Sequence, residues 1–165
     1  MIELSRGLRH LGWADGRFFA SLASLPPAAL EATYAPGAWT VGHLAMHIVG
    51  GAEWYRYCLT GASWTDLRIP QSAIDVEALR DHVVDIDATL LAEGGKPDGL
   101  VDFEDENGRR SAMRSTILTQ ACVHATEHRA QIACALQVAG FPALSLDDLD
   151  LWAFEADEAA GPGMP

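Results

Sequence analysis

Apolar residues recur every three or four positions over four long stretches of the chain, the spacing of amphipathic helices. Glycine and proline residues separate the stretches. Thr40 is a good N-cap for the second helix, and Gly61 is placed to end it. The predicted helices cover residues 4–25, 40–59, 72–94 and 111–139, with either Ser72 or Asp75 starting the third.

The segment from Leu100 to Arg110 carries the only strand-like pattern. Val101 and Phe103 alternate with acidic residues, and Glu106-Asn107-Gly108 predicts a tight hairpin turn. A short helix is predicted from Leu146 to Phe154, followed by a loose tail containing Gly161-Pro162. The pattern therefore predicts an all-α fold: one domain over residues 1–165, built as a four-helix bundle with a hairpin-like connection before the last long helix.

Composition narrows the classes of partner. The chain has 165 residues and a formal net charge of -12, which disfavours binding to nucleic acid or to an anionic membrane surface. The longest stretch without charged residues, 32–52, contains a proline and four glycines and is a poor membrane span. The N-terminus lacks a signal-peptide pattern, and three cysteines without a CxxC motif favour free thiols. We therefore expect a cytoplasmic protein.

Histidine spacing supplies the candidate chemistry. His124 and His128 lie four residues apart on the longest predicted helix, which places their rings about 40° and about 6 Å apart. Their helical stripe is otherwise small or apolar, as is the stripe that holds His47 beside Gly51. Three histidines are thus predicted to face the interior. They are either hydrogen-bonded core residues or ligands of a metal ion, and three ligands alone would leave an open coordination position.

Two other interpretations of the histidine positions, a site completed by cysteine and a zinc-protease motif, are less favoured. Cys58 lies about 16 Å along the helix from His47, and Cys122 points about 160° away from His124, so neither thiol completes the site. The run from His124 to His128 also matches H-x-x-E-H, the inverted zinc-protease signature. A metallohydrolase remains a remote alternative, because short motifs recur by chance and the chain offers little room for a downstream ligand.

Three motifs resemble the DinB/YfiT-like family of metal-binding bundles. Trp39-Thr-Val-Gly-His-Leu-Ala-Met-His47 is similar to the family's entry to its second helix. His124-Ala-Thr-Glu-His128-Arg129-Ala-Gln131-Ile132 is similar to its H-x-x-x-H-R-G-Q-I motif, with Ala130 in place of the glycine. Leu136-Gln-Val-Ala-Gly140-Phe-Pro142 is similar to its final helix end. The resemblance runs through nearly the whole chain.

The resemblance implies an up-down-down-up four-helix bundle in which His47, His124 and His128 hold a divalent metal ion, with zinc or nickel expected. His43 falls at a position where the family has no fixed ligand. Arg129 and Gln131 are expected to bond to neighbouring helices. Family members are commonly homodimers, and those with known activity are often transferases or isomerases that use a low-molecular-weight thiol.

Two hypotheses on function follow. The first is a metal- and thiol-dependent S-transferase or isomerase acting on a small-molecule electrophile. The second is a binding or stress-response module whose ion is structural. A patch of cationic residues that binds the carboxylates of a thiol cofactor would favour the enzyme hypothesis. The candidate residues for this patch are Arg109, Arg110 and Arg114. These arginines could equally be exposed charges that pair with nearby acidic residues. No catalytic residue is assigned: Glu53 is expected to be solvated, and Glu127 to be solvated or structural rather than bonded to a neighbouring imidazole.

Overall fold

The computed structural model describes residues 4–142 and 145–161, and most of them are helical. Five α-helices and one two-stranded sheet follow one another, with short 3-10 turns at Pro27–Glu31 and Asp147–Leu149. The elements are α1 (Leu4–Ala23), α2 (Val41–Thr60), α3 (Ala73–Gly94), β1 (Leu100–Asp105), β2 (Gly108–Met113), α4 (Arg114–Val138) and α5 (Leu151–Ala160). The predicted all-α class is confirmed at this level.

The helix ends follow the local chemistry that the sequence indicates. The Thr40 hydroxyl accepts a hydrogen bond from the His43 backbone N–H at 3.1 Å and caps α2. Gly61 ends α2 with a φ of 73°, a left-handed conformation that glycine adopts without steric cost. Ser72, rather than Asp75, caps α3 and accepts from the Asp75 N–H at 3.3 Å.

The hairpin extends further than predicted, and α4 begins later. Residues 111–113 were expected to be helical, but they form the end of β2 and pair with β1, Ser111 opposite Asp102 and Met113 opposite Leu100. The Ser111 hydroxyl also donates to Asp102 at 2.6 Å. Cross-strand pairing of this kind depends on residues nine or more positions away, so helical periodicity alone could not locate the boundary.

The C-terminal helix also differs from its predicted range of 146–154. Asp150 caps α5, accepting hydrogen bonds from the backbone N–H groups of Trp152 and Ala153 at 2.9 and 2.8 Å. The helix then continues to Ala160 through residues that were expected to form a loose tail. Its Phe154 side chain is buried, and the Trp13 indole donates to Asp157 at 2.8 Å, so α5 is attached to α1. Pro162 lies outside the described residues.

The core forms where α1 packs mainly on α3 and α2 mainly on α4. Large apolar side chains from all four helices are fully buried there, among them Phe18, Phe19, Leu44, Ile48, Ile86, Leu90, Leu118 and Ile132. This burial is the dominant favourable contribution to folding. Within the ranges that the structure describes, no helix is both long and apolar enough to cross a membrane.

Glu53 is buried, contrary to the expectation that it would be solvated; only 3% of its surface is exposed. The segment between α2 and α3 folds back over α2, and Glu53 accepts hydrogen bonds from both the backbone N–H (3.1 Å) and the hydroxyl of Thr65. Its carboxylate also lies 2.7 Å from Nε2 of His82 on α3. The buried Glu53 carboxylate on α2 thus bonds both to the α2–α3 connection and to α3.

Glu53→Ala should lower the free energy of unfolding by about 1–3 kcal/mol, because it leaves the Thr65 and His82 donors without their acceptor. Chemical denaturation of the variant and of the original protein measures the difference. Glu77→Ala, which removes an exposed carboxylate from α3, is the control and should change stability by less than about 0.5 kcal/mol. Equal stability of the two variants would show that the hydrogen bonds of Glu53 do not stabilise the fold.

Candidate metal centre

Three imidazole rings converge between α2 and α4. One nitrogen from each of His47, His124 and His128 lies within 4.8 Å of the other two. Nε2 of His47 and Nε2 of His124 lie 3.2 Å apart. The ring centroids are 4.4–4.9 Å apart. The structure therefore brings together the three histidines that the sequence singles out.

The histidines lie at the edge of the core rather than deep inside it. All three are half-buried, whereas apolar members of the same stripes, such as Leu44 and Ile132, are almost completely buried. The prediction that they face the interior is thus met only in part. A half-buried position keeps each ring fixed by its neighbours and leaves one side of the group accessible to a ligand.

Gly51 makes the approach of His124 possible. A Cβ atom at this position would lie 2.3 Å from Cε1 and 2.8 Å from Nδ1 of the His124 ring. Those distances are far below van der Waals contact, so only glycine admits the ring where it lies. The sequence interpretation that Gly51 leaves room beside His47 is confirmed, and the residue that fills the room is His124 from α4.

Gln131 orients the third histidine. Its side-chain oxygen lies 2.8 Å from Nδ1 of His128, one turn away on the same helix. Nδ1–H therefore donates to the amide, which leaves Nε2 of His128 free to bind an ion, as is usual for histidine ligands. The expectation that Gln131 bonds to a neighbouring helix is wrong, whereas the same expectation holds for Arg129, which donates to Asp15 on α1.

The environment favours the neutral form of two of these imidazoles, His47 and His124. Burial lowers the pKa of His47, with smaller contributions from His128 and His43. Burial also lowers the pKa of His124 to about 4, and His128 and His47 add to the effect. A neutral imidazole has a lone pair to donate, so both rings are available as ligands at neutral pH.

His43 takes no part in the convergent group. Its ring stacks on the Trp39 indole with centroids 4.5 Å apart and an angle of 5° between the planes. The same indole meets His47 edge-on at 4.8 Å. His43 and Trp39 thus form an aromatic wall beside His47, and the partly exposed indole borders the accessible side of the group.

The donor set fits a divalent metal ion. In a tetrahedral site with metal–nitrogen bonds of about 2.0–2.1 Å, two ligand nitrogens lie about 3.3 Å apart. The 3.2 Å separation of the His47 and His124 nitrogens is close to that value. Three nitrogen ligands from histidine would suit zinc, nickel or a similar ion and would leave at least one coordination position open.

The arginines proposed as an anion-binding patch all have carboxylate partners. Arg109 donates to Asp102 at 2.8 Å, Arg110 donates to Asp105 at 2.9 Å, and Arg114 donates to Glu93. These ion pairs neutralise the three arginines without a bound anion. A role in binding a cofactor stays a prediction.

The remaining candidates lie outside the histidine group. Glu127 is exposed, as expected for a solvated residue. Burial raises the pKa of Cys58 and that of Cys122 to about 11, so both remain protonated thiols. Cys134 is exposed and free.

Gly51→Ala should weaken metal binding at least about tenfold, because the added methyl group forces the His124 ring away from His47. Gly50→Ala is a matched control, since a Cβ there would meet only Leu67 Cδ1, at an ordinary contact distance of 3.8 Å. Titration of zinc or nickel followed by calorimetry measures both affinities. Equal affinity in the two variants would show that the position of the His124 ring does not matter for binding.

Comparison with known proteins agrees with this geometry. The sequence pattern of the DinB family matches residues 2–159. No curated protein and no solved structure that was compared with the chain gives a significant match. The family match covers nearly the whole chain and includes all three convergent histidines, and on this basis the chain belongs to the DinB family.

Proposed function

We propose that His47, His124 and His128 bind a divalent metal ion and that the protein uses it in a thiol-dependent transfer or isomerisation of a small electrophile. The observation that carries the proposal is the convergence of three imidazole nitrogens within 4.8 Å on a partly exposed face. One divalent ion can bind all three nitrogens at once, because histidine nitrogen is a common ligand for such ions.

His47, His124 and His128 would hold the ion, and its open position would lower the pKa of a bound thiol so that thiolate forms at neutral pH. The chain's own residues prepare the place where this occurs. Gly51 admits the His124 ring, Gln131 holds the His128 ring, and Trp39 covers one side of His47. In the transfer, the thiol loses its proton to solvent, its sulfur forms a bond to the electrophilic carbon, and the leaving group departs with the bonding electrons.

The thiol is proposed to come from a small molecule rather than from the protein. Cys58 is almost fully buried, Cys122 is half-buried, and burial raises the pKa of both. Neither thiol is poised as a nucleophile, because it is the thiolate that reacts. Cys134, the exposed thiol, does not belong to the convergent group.

The proposal includes the up-down-down-up arrangement of α1 to α4. Its support is that α1 packs chiefly on α3 and α2 on α4, while the long connection between α2 and α3 allows those two helices to run in the same direction. This arrangement brings His47 on α2 against His124 and His128 on α4. Homodimer formation stays a prediction.

The protein expressed without an affinity tag should contain close to one divalent ion per chain, and the His124→Ala/His128→Ala double variant should contain almost none. Loss of two of three ligands removes most of the binding free energy of a site for which the described residues offer no fourth ligand. Metal content is measured by elemental analysis of purified, folded protein.

His43→Ala is the matched control for this comparison, because His43 lies on α2 but outside the convergent group. It should retain the ion. A folded wild-type chain that holds no metal after addition of zinc and nickel would overturn the proposed site, and equal loss of metal in His43→Ala would show that the ligands are misassigned.

Turnover separates an enzyme from a module with a structural ion. The metal-loaded protein should accelerate the reaction of a low-molecular-weight thiol with a small electrophile, and the double variant should not, because it cannot lower the thiol's pKa. Product formation is followed by chromatography for several thiols. Full metal occupancy without acceleration for any thiol, together with a loss of stability on metal removal, would instead favour the structural role.

A further inference from the structure

Asp87 is a buried carboxyl group without a hydrogen-bond donor. The buried charged residues that the structure describes are Asp15, Glu53, Asp87, Glu93 and Arg129. The others each have a partner, but neither side-chain oxygen of Asp87 receives a hydrogen bond from the described part of the chain. Only 3% of its surface is exposed, so bulk solvent does not replace the missing donor.

The charges around Asp87 do not balance if it is ionised. Asp15 and Asp87 lie side by side, and Arg129 provides a single positive charge between α1, α3 and α4. Arg129 donates one nitrogen to Asp15 and the other to the Thr126 hydroxyl at 3.1 Å, so its charge is directed at Asp15. An ionised Asp87 would be an unpaired buried charge beside a second carboxylate, which is strongly unfavourable.

A proton on Asp87 would remove the unpaired negative charge. Two carboxylates are both acceptors and cannot bond to each other, whereas a carboxylic acid donates one hydrogen bond. The Asp15 carboxyl is close enough to be the acceptor. Burial raises the pKa of Asp87 well above its ordinary value, and the charge of Asp15 raises it further.

A small cavity lies next to the carboxyl pair and reaches the candidate metal centre. Its volume is about 10 Å³, close to the least space that holds one water molecule. Most of its lining is apolar, but Asp15, Asp87, His124 and Tyr55 are among the residues that line it. A buried water needs two to four polar partners, and Asp87, whose two side-chain oxygens are both unpaired, is a lining residue that still lacks one.

One ring nitrogen of His124 has no hydrogen-bond partner among the described residues. Its Nε2 faces Nε2 of His47, which leaves Nδ1 as the nitrogen that does not face the convergent group. His128 has Gln131 for the corresponding role, but the described residues provide no such partner for His124. Histidine ligands almost always donate their second N–H to a carboxylate, a carbonyl oxygen or water.

We propose that Asp87 carries a proton at neutral pH, donates it in a hydrogen bond to Asp15, and accepts a hydrogen bond from one water molecule in the cavity, which in turn accepts from Nδ1–H of His124. The water fixes the His124 tautomer in which Nε2 can bind an ion, so Asp87 is a positioning residue for that ring. The proton and the water are properties of the metal-free protein, and only the role of His124 as a ligand rests on the proposed function.

The proton is tested by infrared difference spectroscopy on metal-free protein at neutral pH. Subtracting the spectrum of Asp87→Asn from that of the original protein should reveal the carbonyl band of a protonated carboxylic acid. Asp85→Asn, which changes an exposed carboxylate on the same helix, should not remove that band. Absence of the band from the original protein would overturn the proposal.

Stability as a function of pH gives an independent measure. The raised pKa of Asp87 means that the folded chain binds this proton more tightly than the unfolded chain. The stabilising effect is complete below the unfolded pKa and is lost as the pH rises through the folded pKa. The other titratable or charged groups near Asp87 are Asp15, Cys122 and Arg129, together with Tyr55 and His124 around the cavity, while His10 acts on Asp15. All are retained in Asp87→Asn. Asp87→Asn should therefore be less sensitive to alkaline pH than the original protein; unchanged sensitivity would contradict a proton on Asp87.

The water link is tested by nitrogen NMR of the His124 ring and by zinc titration. Asp87→Asn keeps an oxygen acceptor and should retain the Nδ1–H tautomer and the zinc affinity. Asp87→Leu removes the acceptor, so it should mix the tautomers and weaken zinc binding about tenfold. Ala121→Val, which fills the cavity without changing Asp87, should do the same and serves if Asp87→Leu fails to fold.

The outcomes separate this inference from the proposed function. An unchanged His124 tautomer in both Asp87→Leu and Ala121→Val would overturn the water link even if zinc binds normally. Conversely, a wild-type chain that binds no zinc but shows the acid band and the tautomer change would sustain the water link and overturn the metal site.

Discussion

The contact between Gly51 on α2 and the His124 ring on α4 is the constraint on which the candidate metal centre depends. The ring occupies the space where any other residue would place a Cβ atom, 2.3 Å from Cε1. Because of this close approach, the His124 and His47 nitrogens come within 3.2 Å. The same approach removes water from the rings, and burial is the largest cause of the lowered pKa values. The missing side chain of Gly51 thus permits the geometry of the group and favours the neutral forms of His47 and His124.

The rotation of α4 about its own axis is fixed by a second contact. Consecutive residues of a helix point about 100° apart, so His128 and Arg129 face different neighbours. Arg129 is held against Asp15 on α1, and both are almost fully buried. Removing one partner of such a pair costs about 3–5 kcal/mol, whereas the intact pair adds little net stability. The pair therefore contributes mainly orientation: with Arg129 held on α1, His128 is turned toward His47 on α2.

Local signals in the sequence are sufficient to predict many of the helix boundaries and to single out the three convergent histidines. Thr40, Ser72 and Gly61 mark helix ends because capping involves only the nearest few residues. The three histidines were found because their spacing places them on stripes of small and apolar residues. Features that depend on distant parts of the chain were missed. Ser111 belongs to a strand because of Asp102, and Glu53 is buried because the α2–α3 connection folds back over it.

The Asp15–Asp87 pair could not have been recognised from the sequence either. Asp87 lies on a stripe of α3 that includes Val83, Ile86 and Leu90, which are all buried, but a single acid in such a pattern usually indicates a partly solvated edge. Only the packing of α1 against α3 shows that a second acid lies beside it. Gln131 was assigned to the wrong partner for a similar reason, since either its own helix or a neighbouring one can supply a contact.

The salt bridges also limit how the protein could hold an anionic thiol cofactor. Arg109 is 79% exposed and its partner Asp102 is 55% exposed, and exposed ion pairs contribute only about 0–1 kcal/mol, so a ligand carboxylate could replace Asp102 at little cost. Arg110 is 62% exposed, but Asp105 is only 10% exposed and would be left without its cation. Arg114 is different, because its side chain is 18% exposed and Glu93 is 6% exposed. Separating that pair would leave Glu93 buried with only Lys96 as its partner. Of the three arginines, Arg109 is therefore the one that can exchange partners most readily, and a net charge of -12 makes such a local positive group the more necessary for binding an anion.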